Sequence, residues 1–219
     1  MPVTRAGLLG GSFNPIHFGH LLFADEVRER LGLDRMIFVP AASPPHKPAS
    51  QLAPAADRFA MVERAVAANP AFSVSDVELR RGGPSYTVET LTVLQRPARE
   101  LFLVVGSETF LDLLSWREPR RVATLARLVV VPRTGSPFDP HSAAALTVLR
   151  EIGASGFAAP DEDDPVKRPV LVVHASSLPI SGSDLRRRVR EGRSLAYRMP
   201  DAVIDYVERH GLYREEASA

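Results

Sequence analysis

The eleven residues from Gly10 to His20 constrain the fold of this chain more than any other stretch. The apolar run 6–9 precedes them and the amphipathic segment 21–31 follows, an order that predicts a β-strand, a glycine-rich turn and the start of a helix. Glycines allow the backbone N–H groups of such a turn to approach an anion closely, and a helix N-terminus adds donors and a partial positive charge. The stretch therefore predicts a site that binds a polyphosphate and stabilises charge on it.

Two histidines, His17 and His20, stand where the helix is predicted to begin. Residues at i and i+3 of a helical turn can face the same way, so both imidazoles can contact one ligand. Phosphate binding is the favoured interpretation, because the glycine turn and the helix start supply matching donors. Metal ligation, for which no acidic or thiol partner stands nearby at ligand spacing, and simple packing or helix capping remain as alternatives.

The glycine-rich stretch does not match either of the common phosphate-binding loops. The chain has no Gly-x-x-x-x-Gly-Lys-Ser/Thr sequence, and no Gly-x-Gly-x-x-Gly follows the first predicted strand. The stretch resembles instead the His-x-Gly-His signature of the nucleotidyltransferase superfamily. Its fuller form, Gly-Gly-Ser-Phe-Asn-Pro-Ile-His-Phe-Gly-His at residues 10–20, resembles the bacterial nicotinate-nucleotide adenylyltransferases.

Composition argues against several other classes of protein. The net charge of the 219 residues is +1, which gives no electrostatic footprint for nucleic acid. No apolar run approaches the ~20 residues of a membrane helix, and the first residues lack the apolar core of a signal peptide. Because the chain has no cysteines, disulfides and thiolate metal sites are excluded, and a cytoplasmic location is expected.

Three uninterrupted apolar runs, at residues 101–105, 128–131 and 170–173, predict strands that are covered on both faces. Strands that alternate with helical segments predict right-handed crossovers and an α/β fold with a Rossmann-like, doubly wound parallel sheet. Ligands of such sheets bind beyond the carboxyl ends of the strands. The glycine-rich turn and Gly106 both follow predicted strands, so we expect them to line one crevice.

The sequence predicts a single domain over residues 1–219, with a core at 1–177 and a small C-terminal helical part at 178–219. Alternating apolar and polar residues predict one further strand at 72–79. The polar segment 161–165, Asp-Glu-Asp-Asp-Pro, is expected to form a solvated loop.

The C-terminal part carries a second candidate anion site at residues 180–186, Ile-Ser-Gly-Ser-Asp-Leu-Arg. Hydroxyls just before a helix normally cap it, and Ser181 and Ser183 can have that role alone. With the amides of the helix start and the fixed cation of Arg186, they can also form a cradle for phosphates. The segment resembles the Ile-Ser-Ser-Thr-x-Ile-Arg motif of the same family, which binds the phosphates of ATP. Gly182 stands in place of a serine and Ser183 in place of a threonine, so the contacts of the missing serine hydroxyl cannot be carried over.

Five further segments resemble the family, so that the resemblance extends from about residue 10 to about residue 213. They are Pro-Pro-His-Lys at 44–47, Pro-Ser-Tyr-Thr-Val-Glu-Thr-Leu at 84–91, Gly-Ser-Glu followed by tryptophan at 106–116, Val-Pro-Arg-Thr-Gly at 131–135 and the ending at 200–213. Glu89 and Glu108 stand where the family has aspartate.

The resemblance implies a role for each matching position. His17, His20 and Arg186 would be the catalytic residues. ATP would contact Gly10, Gly11, Ser12, Phe13, Gly106, Arg133, Ile180, Ser181 and Ser183. The second substrate would contact His46, Lys47, Tyr86, Thr87, Glu108 and Trp116.

Structural roles remain as alternatives for several of these residues. Trp116 would stack on the pyridine ring of a mononucleotide, but it could also be a half-buried packing residue. Thr87 would offer backbone donors to the nicotinate carboxylate, or it could simply cap a helix. Glu108 could be a first-turn acid that interacts with the helix dipole, and Lys47 and Arg133 could be solvated surface charges.

The implied reaction is adenylyl transfer from ATP to nicotinate mononucleotide, which gives nicotinate adenine dinucleotide and pyrophosphate in NAD biosynthesis. The implied cofactor is Mg²⁺, held mainly through the ATP phosphates, so no side chain is predicted as a metal ligand. A homo-oligomer is compatible with the sequence. One alternative is another adenylyltransferase of the same fold, such as a phosphopantetheine adenylyltransferase, although this does not account for Tyr86, Thr87 or Trp116. Another is a nucleotide sensor without catalysis, which the departures from the family pattern at Glu89, Glu108 and Gly182 would favour.

Overall fold

The computed structural model describes residues 4–45, 48–132, 135, 137–164 and 166–214. The strands within these ranges are β1 (Thr4–Gly11), β2 (Arg35–Pro40), β3 (Phe72–Val74), β4 (Arg99–Gly106), β5 (Arg127–Val131), β6 (Phe157–Ala158) and β7 (Val170–Val172). The α-helices are α1 (Phe18–Arg30), α2 (Ala55–Val66), α3 (Val77–Arg81), α4 (Thr87–Leu94), α5 (Ser107–Leu111), α6 (Pro119–Leu125), α7 (Ala143–Ile152), α8 (Gly182–Arg190) and α9 (Asp201–Arg209). Short 3₁₀ helices cover Ala49–Gln51, Leu113–Ser115 and Pro160–Glu162.

The strands form one parallel sheet in the order β3-β2-β1-β4-β5-β7-β6. The order reverses between β1 and β4, which is the topological switch point of the sheet. Helices alternate with the strands along the chain, as right-handed crossover connections require. The predicted α/β Rossmann-like fold with a doubly wound parallel sheet is therefore confirmed.

The central strands β4 and β5 lie in the core because their apolar side chains are buried on both faces of the sheet. Residues 101–105 of β4 and all five residues of β5 are buried, and their backbones pair in parallel register from Phe102 with Arg127 to Gly106 with Val131. A strand that is covered on both faces needs apolar side chains at successive positions, which is why these runs show no alternation. The strands predicted from the apolar runs at 101–105 and 128–131 are confirmed.

One compact unit of the chain comprises residues 1–10, 23–37 and 86–177, as far as they are described. Its sheet contains a buried cation, Arg127, whose side chain is only 2% exposed. Arg127 pairs with Asp163 and, at 3.4 Å, with Glu100, which compensates the loss of hydration. The expectation that 161–165 is a solvated loop is therefore wrong for Asp163, because this carboxylate neutralises a charge at the edge of the core.

A second compact unit comprises residues 11–22, 38–85 and 178–219, as far as they are described. In it α2 packs on α9, and Met61 and Val62 lie among the buried residues with Val203 and Val207. The Tyr206 hydroxyl donates a hydrogen bond to Asp57 at 2.8 Å, which fixes the register of the two helices. The C-terminal segment predicted as a small helical part thus folds together with earlier parts of the chain, and its treatment as part of a single domain stays a prediction.

The strand predicted at 72–79 is mostly wrong. Only Phe72–Val74 is a strand, and the backbone then turns into α3 at Val77. The acidic residue Glu78 in the first turn suits a helix N-terminus, and Gly82, with φ of 67°, ends the helix in a conformation that glycine adopts easily. The alternation of apolar residues was too short to separate a three-residue strand from the helical turn that follows it.

Candidate active site

The glycine-rich turn continues directly from the end of β1, as predicted. Phe13 adopts the left-handed backbone conformation, with φ of 43°, and its buried ring lies back over the turn. A Cβ atom at position 11 would lie 3.2–3.4 Å from the Phe13 ring, so a side chain there would require a small shift of the ring. Gly10, by contrast, has no described atom within 4 Å of where its Cβ would be, which leaves the strand end open on that side.

The two histidines lie together at the start of α1. His17 immediately precedes the helix and His20 is in its first turn, and their rings stack with centroids 3.8 Å apart. The backbone N–H of His17 donates a hydrogen bond to Nδ1 of His20 at 3.3 Å. A neutral His20 therefore carries its proton on Nε2. The prediction that the two imidazoles share one side of the helix start is confirmed by this stacking.

His17 is the more buried of the pair, with 6% of its surface exposed. Burial lowers the pKa of His17 to about 4, so its imidazole is neutral at pH 7. Its Nδ1 atom is buried and has no hydrogen-bond partner among the described residues. A buried polar atom without a partner is costly in a folded protein, and it is common where a ligand completes the site.

The place of Gly19 between the two histidines has a steric explanation. A Cβ atom at Gly19 would lie 3.0 Å from both Cε1 and Nδ1 of His17. A side chain at this position would require the His17 ring to shift by a few tenths of an ångström. Glycine at this position of the His-x-Gly-His pattern therefore leaves the observed place of the His17 ring undisturbed.

The second candidate anion site lies at the N-terminus of α8. Ser181 is the N-cap of α8, and its Oγ accepts a hydrogen bond from the Asp184 N–H at 3.2 Å. The Ser181 and Ser183 hydroxyls lie 3.2 Å apart. The capping role considered for Ser181 is therefore confirmed. Capping does not exclude phosphate binding, because a hydroxyl has one proton and two lone pairs.

Arg186 and Gly182 of the α8 start both approach the backbone carbonyl of Asn14 in the glycine-rich turn. Arg186 donates a hydrogen bond from Nη1 to this oxygen at 2.7 Å, across 172 residues of sequence. A Cβ atom at Gly182 would lie only 2.9 Å from the same oxygen. The N-terminus of α8 thus approaches the glycine-rich turn so closely that the side chain found in the family motif has no room here.

Two residues of this region were not singled out from the sequence. The Asn14 side chain donates to the Gln51 carbonyl at 2.9 Å and accepts from the Ala53 N–H at 3.0 Å, which ties the turn to the segment before α2. Tyr213 has a buried hydroxyl whose pKa is raised by burial, and Arg186 is near enough to oppose that rise. Both lie inside segments that resemble the family, so their position there was the available signal.

Four of the residues predicted to bind the mononucleotide are described, and they lie on or next to α4, α5 and the 3₁₀ helix at 113–115. Tyr86 is the N-cap of α4 and Thr87 its first residue, so the alternative that Thr87 caps the helix is wrong. Glu108 is in the first turn of the five-residue helix α5, which follows directly from Gly106 at the end of β4. Trp116 ends the 3₁₀ helix and is partly buried.

Arg117 connects parts of this second group and was missed by the sequence analysis. Its guanidinium lies 4.9 Å from the centre of the Tyr86 ring, and its Nη1 donates to Glu89 at 2.9 Å. Glu89 is one of the positions where the chain departs from the family pattern, and the longer side chain is what contacts Arg117. The only signal in the sequence was its place next to Trp116, the single tryptophan.

Three predicted site residues, His46, Lys47 and Arg133, lie outside the described residues. Ile180 is partly buried just before α8, and Ser12 is partly buried in the glycine-rich turn. Within the described ranges no three histidine, aspartate or glutamate side chains are grouped so that they could hold a metal ion. No helix in these ranges is long and apolar enough to cross a membrane.

Comparisons with known proteins identify the class to which this fold and this motif belong. Residues 8–188 match the family model for cytidylyltransferase-like domains, so the chain is a nucleotidyltransferase of that class. A Roseiflexus sp. (strain RS-1) protein named probable nicotinate-nucleotide adenylyltransferase is 44% identical over 98% of this chain and all of its own length. A Thermus thermophilus protein of the same name is 44% identical over 96% of this chain and all of its own length. The chain therefore belongs to the nicotinate-nucleotide adenylyltransferase family.

Solved structures show the same fold. The Plasmodium falciparum nicotinic acid mononucleotide adenylyltransferase in complex with APC aligns with a TM-score of 0.67, over 96% of this chain and 97% of its own. The same enzyme in complex with NaAD aligns with a TM-score of 0.65. The sequence identities are 17% and 16%, so these two likenesses are evidence for the fold alone.

Proposed function

We propose that this chain transfers the adenylyl group of ATP to nicotinate mononucleotide, with nicotinate adenine dinucleotide and pyrophosphate as products. The observation that carries the proposal is the junction at Asn14, where Arg186 brings the start of α8 to the turn that holds the stacked histidines. Two helix starts, a guanidinium and two imidazoles in one compact unit suit a long polyphosphate better than a single phosphate. Membership of the family supplies the choice of acceptor.

The reaction needs no nucleophile from the protein. An oxygen of the mononucleotide 5′-phosphate attacks the α-phosphorus of ATP and forms the new P–O bond. The bond from the α-phosphorus to the oxygen that bridges to the β-phosphate breaks, and pyrophosphate leaves with that electron pair. The attacking phosphate is already an anion at neutral pH, so no general base is required, and positioning and charge stabilisation remain as the work of the protein.

The stacked histidines would stabilise the charge that builds at the α-phosphate. A neutral His20 can donate its Nε2 proton to a phosphate oxygen, because its Nδ1 already accepts from the His17 backbone. His17 begins as a neutral imidazole, and a bound triphosphate would raise its pKa because nearby negative charge favours the protonated form. Both imidazoles would lower the activation barrier to the extent that their interaction with the phosphate strengthens as charge builds in the transition state.

The second cradle would hold the leaving group. Ser181, Ser183 and the amides at the start of α8 would contact the β- and γ-phosphates, and Arg186 would supply a fixed positive charge. Gly10 to Phe13 would contact the adenosine and α-phosphate end of ATP, with Gly106, Arg133 and Ile180 as further contacts.

The α4 and α5 residues would bind the mononucleotide. Trp116 would stack on the pyridine ring, Thr87 would present backbone donors at the start of α4, and Tyr86 would be held in place by Arg117. Glu108 would accept a hydrogen bond from the substrate, and His46 and Lys47 would neutralise its phosphate.

A divalent cation, Mg²⁺, would neutralise charge on the phosphates. The donor set of this region fits such a metal only indirectly, since imidazoles, hydroxyls and a guanidinium suit phosphate oxygens and not a Mg²⁺ ion directly. The metal would therefore be held by phosphate oxygens and water. A cytoplasmic location and a homo-oligomer are part of the proposal only as expectations from the sequence.

Release of pyrophosphate tests the proposal directly. The purified protein is incubated with ATP, Mg²⁺ and one of three acceptors: nicotinate mononucleotide, nicotinamide mononucleotide or phosphopantetheine. The proposal predicts the highest kcat/KM with nicotinate mononucleotide. A preference for phosphopantetheine would favour the other adenylyltransferase interpretation, and no pyrophosphate with any acceptor would favour a nucleotide sensor.

A further inference from the structure

Arg58 on α2 is a buried cation that the proposed mechanism does not use. Only 1% of its surface is exposed, although arginine is rarely buried without partners. Burial lowers the pKa of its guanidinium, with the neighbouring Tyr213 and Glu78 acting in the opposite direction. A charge at such a site needs a reason, because a well-packed apolar side chain would often serve stability equally well.

Three carbonyl groups from three segments accept hydrogen bonds from this one side chain. Nε donates to Ala53 at 2.9 Å, Nη1 to Ser12 at 2.8 Å and Nη2 to Ala42 at 3.2 Å. Ser12 belongs to the glycine-rich turn, Ala42 to the loop after β2, and Ala53 to the segment before α2. The planar fork of a guanidinium can bond in several fixed directions at once, which the single ammonium of a lysine cannot do.

The carbonyl of Ser12 is the important one for catalysis. Fixing it fixes the peptide plane between Ser12 and Phe13, in a turn whose backbone would face the phosphates. The Asn14 side chain also binds the turn to Gln51 and Ala53. The segment before α2 therefore contacts the turn directly through Asn14, and it shares the Arg58 guanidinium with the Ser12 carbonyl.

We infer that Arg58 is a positioning residue, which holds the phosphate-binding turn in its productive conformation without touching the substrate. The inference rests on the proposed function, since it assigns the turn to ATP. Loss of Arg58 removes this hydrogen bond from the Ser12 carbonyl, and the amides and histidines that follow lose part of their alignment. A misplacement of about 1 Å in the reacting groups costs on the order of 10²-fold in rate.

Turnover is the first test. Arg58→Ala is expected to lower kcat for pyrophosphate release about 10²-fold, and free guanidinium ions are expected to restore part of it by binding in the space left. Arg58→Met fills that space, so its kcat is expected to fall similarly but not to respond to guanidinium. The kcat of Arg58→Lys is expected to fall as well, because a lysine ammonium cannot bond to all three carbonyls in the same directions. The control is Arg64→Ala on the same helix, whose side chain contacts Ala60 and the Tyr206 ring and not the turn.

The contrary result is a set of Arg58 variants that unfold more easily but keep the wild-type kcat per folded molecule, without any effect of guanidinium. Arg58 would then be a structural residue only. Should Arg58→Ala fail to fold, Arg58→Met and Arg58→Lys decide the point by the same comparison of kcat with thermal stability.

Hydrogen exchange provides a second test that does not depend on enzymatic activity. Amides of residues 10–17 are expected to exchange faster in Arg58→Met than in wild type, and at the wild-type rate in Arg64→Ala. Unchanged exchange in Arg58→Met would overturn the inference. Absence of pyrophosphate release by the wild type would instead refute the proposed function, and the exchange rates would still decide whether Arg58 holds the turn.

Discussion

Replacing Gly182 by serine restores the residue found in the related motif, and the structure predicts that this change is harmful. The Cβ atom alone would lie 2.9 Å from the Asn14 carbonyl oxygen, which is a backbone atom that cannot rotate away. Ordinary van der Waals contact requires about 0.5 Å more, so either the turn or the start of α8 must move. The same oxygen accepts the hydrogen bond from Arg186, and this bond would be strained by the movement.

The size of the effect follows from that displacement. Overpacking of this kind typically costs about 1–3 kcal/mol in the free energy of unfolding. Since a misplacement of about 1 Å costs on the order of 10²-fold in rate, half of it is expected to lower kcat about tenfold. Gly182→Ala should have nearly the same effect as Gly182→Ser, because the Cβ atom that both variants introduce is the atom that meets the Asn14 carbonyl.

Both variants are compared with wild type by kcat for pyrophosphate release at saturating substrates and by urea unfolding. If Gly182→Ser equalled or exceeded wild type in both measurements, the close approach of α8 to the glycine-rich turn would be wrong. If only Gly182→Ala were impaired, the hydroxyl would be a phosphate contact that compensates for the clash, and the steric reasoning would be insufficient.

Three further predictions concern separate parts of the chain. The pKa of His17 is lowered in the folded state, so protonation favours the unfolded state as the pH falls from about 6.5 towards 4. Through this group the free energy of unfolding is expected to decrease by about 2 kcal/mol between pH 7.5 and 5, and urea titrations of His17→Gln should lack that decrease. Arg117→Ala removes a partly exposed ion pair worth less than about 1 kcal/mol, so the melting temperature should change little. KM for the mononucleotide should increase because Tyr86 loses its cation–π contact, and an unchanged KM would contradict the role of Arg117 in positioning Tyr86. Arg127→Ala leaves Asp163 without its buried partner and is expected to cost about 3–5 kcal/mol in urea unfolding, and a cost below about 1 kcal/mol would mean that water already reaches the pair.

The sheet was predictable because its central strands are long and continuously apolar. Runs such as 101–105 are short and lack alternation, which favours strands covered on both faces, and their order along the chain with helices between them favours a parallel sheet. The seven-residue helix α6 was not predicted, and the five-residue helix α5 entered only through the alternative that Glu108 is a first-turn acid, because segments this short show too little of the helical period. The helix α7 was missed as well, although Ser142 at its N-cap and Gly153 after its end are ordinary signals.

The candidate site was predictable where its residues are close together in the sequence. The pairing of His17 with His20 follows from their spacing, and so does the capping of α8 by Ser181. The contact of Arg186 with Asn14 joins residues that are 172 positions apart, and no local pattern contains that information. The steric reason for Gly182 likewise depends on how closely two separate segments pack.

Turnover of His20→Ala tests the central claim most directly, because that claim is that the stacked histidines stabilise charge on a transferring phosphate. The assay measures pyrophosphate release at saturating ATP and nicotinate mononucleotide, with thermal unfolding of the same preparation as the check on folding. Loss of one charge-stabilising donor is expected to lower kcat by about 10²–10³ while the variant stays folded. A folded His20→Ala protein with the kcat of the wild type would contradict the account.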